Sequence, residues 1–387
     1  MMLDGREFRT SIVRSSREMP GVREDWLRLW YAGEHQVYSH PDWIGCVRDA
    51  YGTGSELFIV VVWHHDEVVA ILPMCVRDGK LQSAGAPRAD SVELLCEAEV
   101  ASRVIPVILE TVAEGNAGWD VGCLDLVPEG SGLHHSVLHA IAGMPGRPLL
   151  TISGEAPYVV LHGNREELVR KLAWKKTPRR RRNQLTKQGD LQFRRLSSVD
   201  EMRQAVPGLT ELHRLRREQA GDTSYLADEE GQEFLHGLMN RLGPQGLLQI
   251  HALTLDGRVI AGCIGFEAHG RYYYYTPVFD MEWSALGVGS VLLSYLLEDA
   301  IRRGIDVFDF GQGDEGYKSR FADSSVGLYS LHVFQPGIRS RLRRGRMAFK
   351  EHLRSHPVAY DQLRRLKSVF AGLGASRRSR PKLAPQS

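Results

Sequence analysis

The sequence has no apolar segment long enough to cross a membrane. Its longest apolar run is about Leu57 to Trp63, whereas a spanning helix needs roughly 18 apolar residues. The first residues include Asp4, Glu7 and scattered arginines, and they lack the apolar centre of a signal peptide. We therefore expect a cytoplasmic protein.

Cysteine is scarce and is not spaced as metal ligands or disulfides. The five cysteines are far apart and never form a Cys-x-x-Cys pair, which predicts reduced, mostly buried thiols. The adjacent pairs His64-His65 and His134-His135 would diverge on a strand, so we expect no metal site. The sequence also lacks a Gly-x-Ser-x-Gly elbow and a Walker loop, which argues against serine-triad hydrolysis and P-loop chemistry.

Length and composition are those of an ordinary globular protein, but the charge is unevenly distributed. The chain has 387 residues, 43% of them hydrophobic and 25% charged, and this length favours two domains. The net charge is +2, yet residues 338–387 hold fourteen Lys or Arg against two acids. That segment carries +12, which leaves −10 for residues 1–337 and predicts an acidic body with a basic tail.

Residues 249–321 have the pattern of three strands, a glycine loop, a helix and a last strand. The strand-forming runs are joined by dipeptides that are typical of two-residue hairpin turns. The runs are Leu247–Leu255, Val259–Phe266 and Tyr272–Val278, and the dipeptides are Asp256-Gly257 and His269-Gly270.

The glycine loop Gly287-Val288-Gly289 precedes apolar residues at helical spacing, and Gly304 is expected to end that helix. Glycines at a helix start leave unpaired backbone N–H groups open to an anion such as a pyrophosphate. A tight turn without a ligand is the alternative. The loop follows a meander rather than a first parallel strand, which argues against a dinucleotide-binding fold. Ile305–Phe310 has the pattern of a buried strand.

This order of elements resembles the GNAT-type N-acyltransferases. It is more closely similar to the CelD-type acyltransferases, which are relatives of the Fem-type peptidoglycan aminoacyltransferases. Two motifs carry the resemblance: the loop Ser284–Gly289, and the run Phe308–Lys318, FDFGQGDEGYK, which is similar to that group's pattern FDFGxGxExYK. The resemblance covers roughly residues 25–337. It implies an α/β (α+β) fold of two tandem GNAT-like domains, each a mixed, mostly antiparallel central sheet flanked by helices.

The resemblance and the composition together divide the chain into three regions. Residues 1–150 would be a degenerate GNAT-like N-terminal domain, residues 151–337 an acyl-CoA-binding GNAT domain, and residues 338–387 a basic C-terminal tail. Glycine and proline between Pro145 and Pro157 predict a linker. In the tail, apolar residues at 363, 366, 370 and 373 have the spacing of a short basic amphipathic helix, with a solvated, disordered tail as the alternative.

The resemblance also implies the donor and its site. Acetyl-CoA or another acyl-CoA would place its pyrophosphate on the loop before the helix, and no metal is implied. The implied donor-binding residues are Ser284, Leu286, Gly287, Val288, Gly289 and Ser290. Ser284 stands where the general GNAT loop has Gln or Arg, which shortens the side chain and removes any charge. The Fem-type relatives use aminoacyl-tRNA, and the sequence leaves that donor open.

Acyl transfer to an amine needs a base for the ammonium proton and a proton source for the leaving thiolate. Glu267 and Asp309 are the carboxylates that the predicted strands place near the central sheet, and capping of the Gly311–Gly313 loop is the alternative role of Asp309. Tyr275, one of four consecutive tyrosines, is a candidate hydroxyl donor, with strand packing as the alternative. Lys318 lies beyond a glycine loop and could stabilise an oxyanion or bind acceptor phosphate.

The acceptor candidates include the densest positive charge of the chain, Lys175–Arg182. Thr177 as N-cap and Pro178 at the first helical position would put four arginines in an opening turn, where the helix dipole disfavours cations. A phosphate-rich partner would relieve this, and a solvated helix face is the alternative. The candidate acceptor-binding residues are Arg179 and Arg182 from this run, His213 and Arg217 from a predicted helix Glu211–Gln219, and Tyr317 from the FDFG run.

Three hypotheses follow. The first is an N-acyltransferase that moves an acyl group from acyl-CoA to an amine of an amino sugar or a cell-envelope or exopolysaccharide precursor. Direct attack in a ternary complex fits the lack of a recognisable cysteine nucleophile. The second is a Fem-type ligase that uses aminoacyl-tRNA. The third is a non-catalytic accessory protein of polysaccharide synthesis that docks on a membrane or a partner through its basic tail, and peripheral contact with the inner membrane face is open under the first hypothesis as well.

Overall fold

In the part of the chain that the structure describes, thirteen strands form one mostly antiparallel sheet that is flanked by helices. The computed structural model describes residues 7–33, 35–115, 118–131, 133–135, 148–313, 316–335 and 337–354. The strands are β1 (Phe8–Val13), β2 (Ser55–His64), β3 (Glu67–Arg77), β4 (Lys80–Ser83), β5 (Leu95–Cys96), β6 (Val121–Pro128), β7 (Leu149–Val160), β8 (Leu191–Leu196), β9 (Leu248–Leu255), β10 (Arg258–Ala268), β11 (Arg271–Phe279), β12 (Val307–Asp309) and β13 (Ser324–Phe334). The helices are α1 (Arg23–Ala32), α2 (Pro41–Tyr51), α3 (Ala98–Glu114), α4 (Arg165–Leu168), α5 (Lys176–Leu185), α6 (Val199–Gln219), α7 (Glu229–Arg241), α8 (Val288–Arg303) and α9 (Ile338–Arg354).

The sheet contains the same arrangement twice. In each half a three-stranded meander is followed by a helix and by a strand parallel to the third strand of the meander: β2-β3-β4, α3 and β6 first, then β9-β10-β11, α8 and β12. Between the halves, β7 pairs with β12 and β13, and β13 pairs with β6. The duplication confirms the predicted fold class, although no internal repeat is visible in the sequence. The domain boundaries at residues 150 and 337 stay a prediction.

The predicted turns around the second meander are confirmed. Asp256 and Gly257 both have positive φ, 49° and 80°, and so do His269 and Gly270, at 49° and 71°. Two successive positive φ angles match the twist of a tight hairpin, which is why Asp-Gly and His-Gly occupy these positions. Gly304 ends α8 at φ 81°, as predicted.

Two local predictions were wrong. Residues 154–157 do not form a linker, because they lie within β7 and pair with β13; residues 136–147 lie outside the described part of the chain. Thr177 is not an N-cap, because α5 begins at Lys176 after an extended Lys175. The arginines therefore occupy the second turn of α5 rather than its opening turn.

Three apolar clusters hold the sheet and helices together. One packs α3 on the first half of the sheet, and a second packs α8 on β9, β10, β11 and β12. The third is shared, because α1 and α2 from the first half pack with α6 and α7 from the second. Strand β2 supplies both faces, with Leu57, Ile59 and Val61 in the shared cluster and the alternate residues against α3. The shared cluster brings the loop after β4 close to the second half.

The five cysteines are buried, in agreement with the prediction. Burial raises the pKa of Cys46, Cys96, Cys123 and Cys263 to about 12, so these groups are thiols at neutral pH. No helix within the described ranges is long and apolar enough to cross a bilayer. The amphipathic helix predicted for residues 363–373 lies outside those ranges.

Candidate active site

The N-terminus of α8 has no capping or acidic side chain that would offset the positive end of its helix dipole. Gly287 precedes the helix in the left-handed region at φ 65°, and its N–H donates to the carbonyl of Ser284 at 2.8 Å. No side chain caps this end and no acid lies in the first turn. By contrast, α7 has an Asp228 cap and two acids in its first turn. The first-turn N–H groups of α8, at Val288 and Gly289, therefore face the loop as potential anion donors.

Arg181 from α5 lies against this helix end. Its guanidinium donates to Ser290 Oγ at 2.9 Å, and a Cβ added at Gly287 would lie 2.5 Å from its Nε. A cation beside the positive end of a helix is unfavourable by about 0.3–1 kcal/mol. The arginine run and the glycine loop, which the sequence identified separately, thus form one strongly positive corner.

The two arginines singled out from the run lie elsewhere on α5. The guanidinium of Arg182 lies 4.6 Å from the ring centroid of Trp174, and Trp174 in turn donates to Glu298 of α8. Arg179 is exposed. Neither residue therefore lies over the glycines as Arg181 does.

Phe279, the last residue of β11, connects this corner to a deeper cleft. A Cβ at Gly289 would lie 3.2 Å from its ring, and the guanidinium of Arg216 lies 4.6 Å from the ring centroid. Arg216 comes from α6 and also donates to the carbonyl of Pro277 at 3.4 Å. The aromatic ring therefore bridges the glycine loop and the wall of the cleft.

The cleft is a cavity of about 470 Å³ beside the C-terminal part of β11. Its walls come from α6, β11, residues 310–312 and 317–318, and the loop of residues 87–90 of the first half. Four cations line it: Arg88, Arg216, Arg217 and Lys318. Its remaining walls include Tyr274, Tyr275, Tyr317 and the backbone at Gly311 and Gln312. Such a lining suits a ligand with an apolar stem and negative charge.

Several predicted residues meet in this cavity. Tyr275 donates its hydroxyl to the carbonyl of Arg88 at 3.0 Å, and burial raises its pKa well above the ordinary value. His213 is buried and shares a 2.6 Å hydrogen bond with Ser224 Oγ. Burial and the nearby Arg217 lower the pKa of His213 to about 4, so the ring is neutral at physiological pH. Arg217 forms an ion pair with Asp222 at 3.0 Å.

Lys318 is more enclosed than the sequence suggested. It is buried in a short 3₁₀ turn, Lys318–Arg320, and its ammonium donates to the carbonyl of Gln312 at 2.8 Å. This bond ties Lys318 to the Gly311–Gly313 loop, because Gln312 lies between these two glycines. Lys318 therefore fixes the loop and also lines the cavity.

A second cavity, of about 200 Å³, shares a wall with the first. Asp90, Gly311 and Gln312 line both. The second cavity has a mixed lining, in which polar groups from both halves of the chain stand beside apolar residues such as Val326 and Leu328. The polar groups include Gln36, Tyr38, Ser91, Tyr158, Arg271 and Asp309.

Two buried carboxyl groups distinguish the second cavity. Asp90 accepts a hydrogen bond from the Tyr38 hydroxyl at 3.3 Å, and Asp309 accepts from Arg271 at 3.1 Å and from the N–H of Gly311 at 2.9 Å. Burial, followed by repulsion from Asp309, raises the pKa of Asp90 to about 6. Burial also raises the pKa of Asp309, although Arg271 opposes this. The bond to Gly311 matches the predicted capping role of Asp309.

Glu267 does not join this group. Its carboxylate pairs with Arg303 at 2.5 Å, near the C-terminal end of α8 and therefore away from the glycine loop. Arg303 also pairs with Asp299. We do not include Glu267 in the mechanism proposed below. Among the described residues no cluster of three or more His, Cys, Asp or Glu side chains could hold a metal ion.

Sequence reasoning missed Arg181 and Asp90. For Arg181 a signal existed, because the helical phase of Lys176–Leu185 decides which arginine faces α8, but the wrong N-cap obscured it. For Asp90 no local signal exists: its loop follows β4, and only the shared packing of the two halves brings it to Asp309.

Comparisons with known proteins agree with this geometry. Residues 174–319 match the family model described as an acetyltransferase (GNAT) domain. No curated protein matches the chain. Among solved structures, FemX aligns with a TM-score of 0.57 at 10% identity, covering 84% of this chain and 97% of that one. A tandem GNAT protein from the clavulanic acid biosynthesis pathway aligns at 0.51 and 14% identity, covering 85% and 100%. L-PGS from Bacillus licheniformis aligns at 0.51 and 12% identity, covering 84% and 94%.

At these identities the solved structures establish the fold alone. The family model covers α8, the Gly287–Gly289 loop and the second-half wall of the larger cavity. Residues 174–319 therefore match a GNAT acetyltransferase domain, and this match supports an acyltransferase activity.

Proposed function

We propose that the protein transfers an acyl group from acyl-CoA to the amine of an amino sugar or a related cell-envelope or exopolysaccharide precursor. The observation that carries this proposal is the positive corner where Arg181 lies over Gly287 at the uncapped start of α8. A diphosphate there would accept from the N–H groups of Val288 and Gly289 and would neutralise Arg181. Ser284, Leu286 and Ser290 would flank it.

The residues that line the positive corner and the larger cavity form a continuous surface, along which the acyl-CoA would extend. From the corner, the pantetheine arm would pass Phe279 and run along Tyr274–Pro277 of β11, with Arg216 close to the phosphates. The thioester would then lie near Gly311 and Gln312, where the two cavities meet. β11 and β12 pair only from Arg271 to Tyr273, so the β11 backbone beyond this point is free of β12.

The two cavities differ in the sign of their charged side chains, which supports the smaller cavity as the acceptor site. The larger cavity has four cations against one carboxyl group, that of Asp90, whereas the smaller one has the carboxyl groups of Asp90 and Asp309 against one cation, Arg271. An ammonium group is attracted by carboxylates, and hydroxyl and amide groups such as those of Tyr38, Ser91 and Gln36 suit a hydroxylated ring. This lining favours an amino sugar over an apolar amine.

The proposed chemistry is a direct attack. Asp90, with its pKa of about 6, accepts the proton of the ammonium, and the neutral nitrogen attacks the thioester carbonyl carbon. The tetrahedral oxyanion forms beside the loop that Lys318 holds, and its collapse breaks the carbon–sulfur bond and leaves an amide. As the amide forms, the nitrogen gives up its second proton, which passes to the departing CoA thiolate with the Tyr275 hydroxyl as the candidate relay, so that Tyr275 ends the step protonated. No acyl-enzyme is involved.

An aminoacyl-tRNA donor is the second candidate. It is favoured by the exposed Arg179 and Arg180 on α5, next to Arg181, which extend the positive surface beyond the size of a diphosphate. Binding of this kind would weaken steeply with salt. Competition between CoA and total tRNA for the protein distinguishes the two donors.

Calorimetric titration with CoA and with pantetheine tests the proposed donor site. Because pantetheine has the thiol arm but lacks the diphosphate, we expect CoA to bind at least about a hundredfold more tightly, since charge-assisted hydrogen bonds contribute about 1.5–3 kcal/mol each. Arg181→Ala should weaken CoA binding about tenfold or more. Arg180→Ala, an exposed neighbour on the same helix, is the matched control and should have little effect. Equal binding of CoA and pantetheine would overturn the assignment.

A further inference from the structure

Helix α9, which begins the basic tail, carries an apolar pair that the protein body does not cover. Ile338 is 77% exposed and Leu342 is 61% exposed, although both are large aliphatic side chains. They stand four residues apart and so lie on one face of the helix. Exposed apolar side chains aligned along one helix face indicate a surface that meets another body.

The helix is held to the body by its opposite face. Ser340 is 2% exposed, and its hydroxyl donates to the carbonyl of Asp120 at 2.9 Å. At about 100° per residue, Ser340 lies roughly 160–200° around the helix from Ile338 and Leu342. The apolar pair therefore points away from the protein. It is not a core face left open by a gap in packing.

Arginines surround the exposed pair. Between residues 338 and 348 there are five arginines and no acid. Arg339, Arg341 and Arg346 are exposed, and Arg343 has a long contact of 3.9 Å with Asp120. Such density of one charge on a surface helix is self-repulsive unless an anionic surface faces it.

We propose that α9 is a docking helix for an anionic lipid surface. Ile338 and Leu342 enter the boundary between headgroups and acyl chains, and Arg339, Arg341 and Arg346 contact lipid phosphates. A basic face alone would fit nucleic acid equally well, but the aliphatic pair at its centre would gain nothing from a sugar-phosphate backbone. The combination of a central apolar stripe with flanking arginines matches an interfacial helix. This inference is independent of the acyl donor.

Sedimentation of the full chain with vesicles tests the proposal. Vesicles of phosphatidylcholine alone are compared with vesicles that contain phosphatidylglycerol at one part in three or so. We expect binding to the anionic vesicles only, because surface arginines respond to the negative potential. The double variant Ile338→Ser/Leu342→Ser should bind about tenfold more weakly or worse, because it removes two buried aliphatic side chains at the interface. Tyr31→Ser, which removes another exposed apolar side chain, is the matched control.

The arginines are tested in parallel. Arg339→Gln/Arg341→Gln/Arg346→Gln should abolish the preference for anionic vesicles, whereas Arg170→Gln/Arg194→Gln/Arg203→Gln, three exposed arginines elsewhere, should keep it. Unchanged melting temperatures of all variants would show that each remains folded. Undiminished vesicle binding by the serine double variant would overturn the proposal. So would retention on total tRNA that depends on the arginines but not on the aliphatic pair, combined with absence of vesicle binding.

Discussion

Asp90 and Asp309 come from opposite halves of the chain and meet beside the proposed point of acylation. Two carboxyl groups in one buried site cannot both ionise freely, so at least one keeps a raised pKa. The pKa of Asp90, about 6, is suited to a base that must be ionised near neutral pH yet still accept a proton. Asp309 is fixed by Arg271 and Gly311, which makes it the neighbour that tunes Asp90.

At this scale we predict the pH dependence of acetyl transfer to glucosamine, followed as release of the CoA thiol. The base is active when ionised, so kcat/KM should rise with pH through about 6 and level off above it. Asp90→Asn should lower kcat about 10²–10⁴-fold. Asp309→Asn removes a neighbouring negative charge, so it should lower the pKa of Asp90 and move the rise to lower pH. An unchanged kcat in Asp90→Asn would exclude this residue as the base.

Individual site residues could be predicted only where a motif marked them. The Gly287–Gly289 loop and Lys318 stand in family-like runs; Lys318 lines the larger cavity, and the loop contacts Phe279, which packs against Arg216 of that cavity. Arg181 was inside a recognised run, but its position in the helix depends on where α5 begins, and the predicted start was two residues too late, a difference of about 200° around the helix axis. Asp90 belongs to a loop that contacts the second half only through the shared core of α1, α2, α6 and α7, and no local pattern encodes that contact.

At the scale of elements, α8 has a glycine in the left-handed region at each end, and only the first is expected to serve the donor. Gly287→Ala would force a side chain into the left-handed region and against Arg181. We expect it to destabilise the fold by about 1 kcal/mol and to weaken CoA binding about tenfold. Gly304→Ala, at φ 81° beyond the last turn, is the matched control.

Gly304→Ala should cost similar stability and leave CoA affinity unchanged, because Gly304 lies a full helix length from Gly287. Thermal melting and calorimetry on the two variants separate the two effects. Equal losses of affinity in both variants would mean that the loop acts through folding alone.

Elements of the second half were predictable because their signals are local. Each of these elements depends on residues close together in the sequence. They are the hairpins at Asp256-Gly257 and His269-Gly270, the amphipathic helix α8, and Gly304, which ends that helix. β7 was missed over residues 154–157, because Gly154 and Pro157 suggest a loop in isolation. There, pairing with β13 and the hydrogen bonds that Phe310 N–H and Gly313 N–H donate to the carbonyls of Pro157 and Glu155 outweigh local preference, a long-range effect that propensity does not contain.

At the scale of the molecule, one sheet joins two similar halves that differ in what they contribute. The second half supplies the Gly287–Gly289 loop, α8 and the part of β11 that does not pair with β12. The first half supplies Asp90 and Arg88, which line the larger cavity opposite these elements. The duplicated topology was predictable from family-like motifs, whereas the continuity of the sheet through β13 and β7 was not. Because the cleft is lined by both halves, the proposed binding of donor and acceptor requires both of them.

The central claim is that a diphosphate binds between Arg181 and the first turn of α8. The most direct measurement is a crystal structure of the full chain with acetyl-CoA. We predict diphosphate oxygens within hydrogen-bonding distance of the N–H groups of Val288 and Gly289 and of the Arg181 guanidinium, with the thioester beside Gly311. Coenzyme bound elsewhere, with Arg181 still closed over Gly287, would contradict the account.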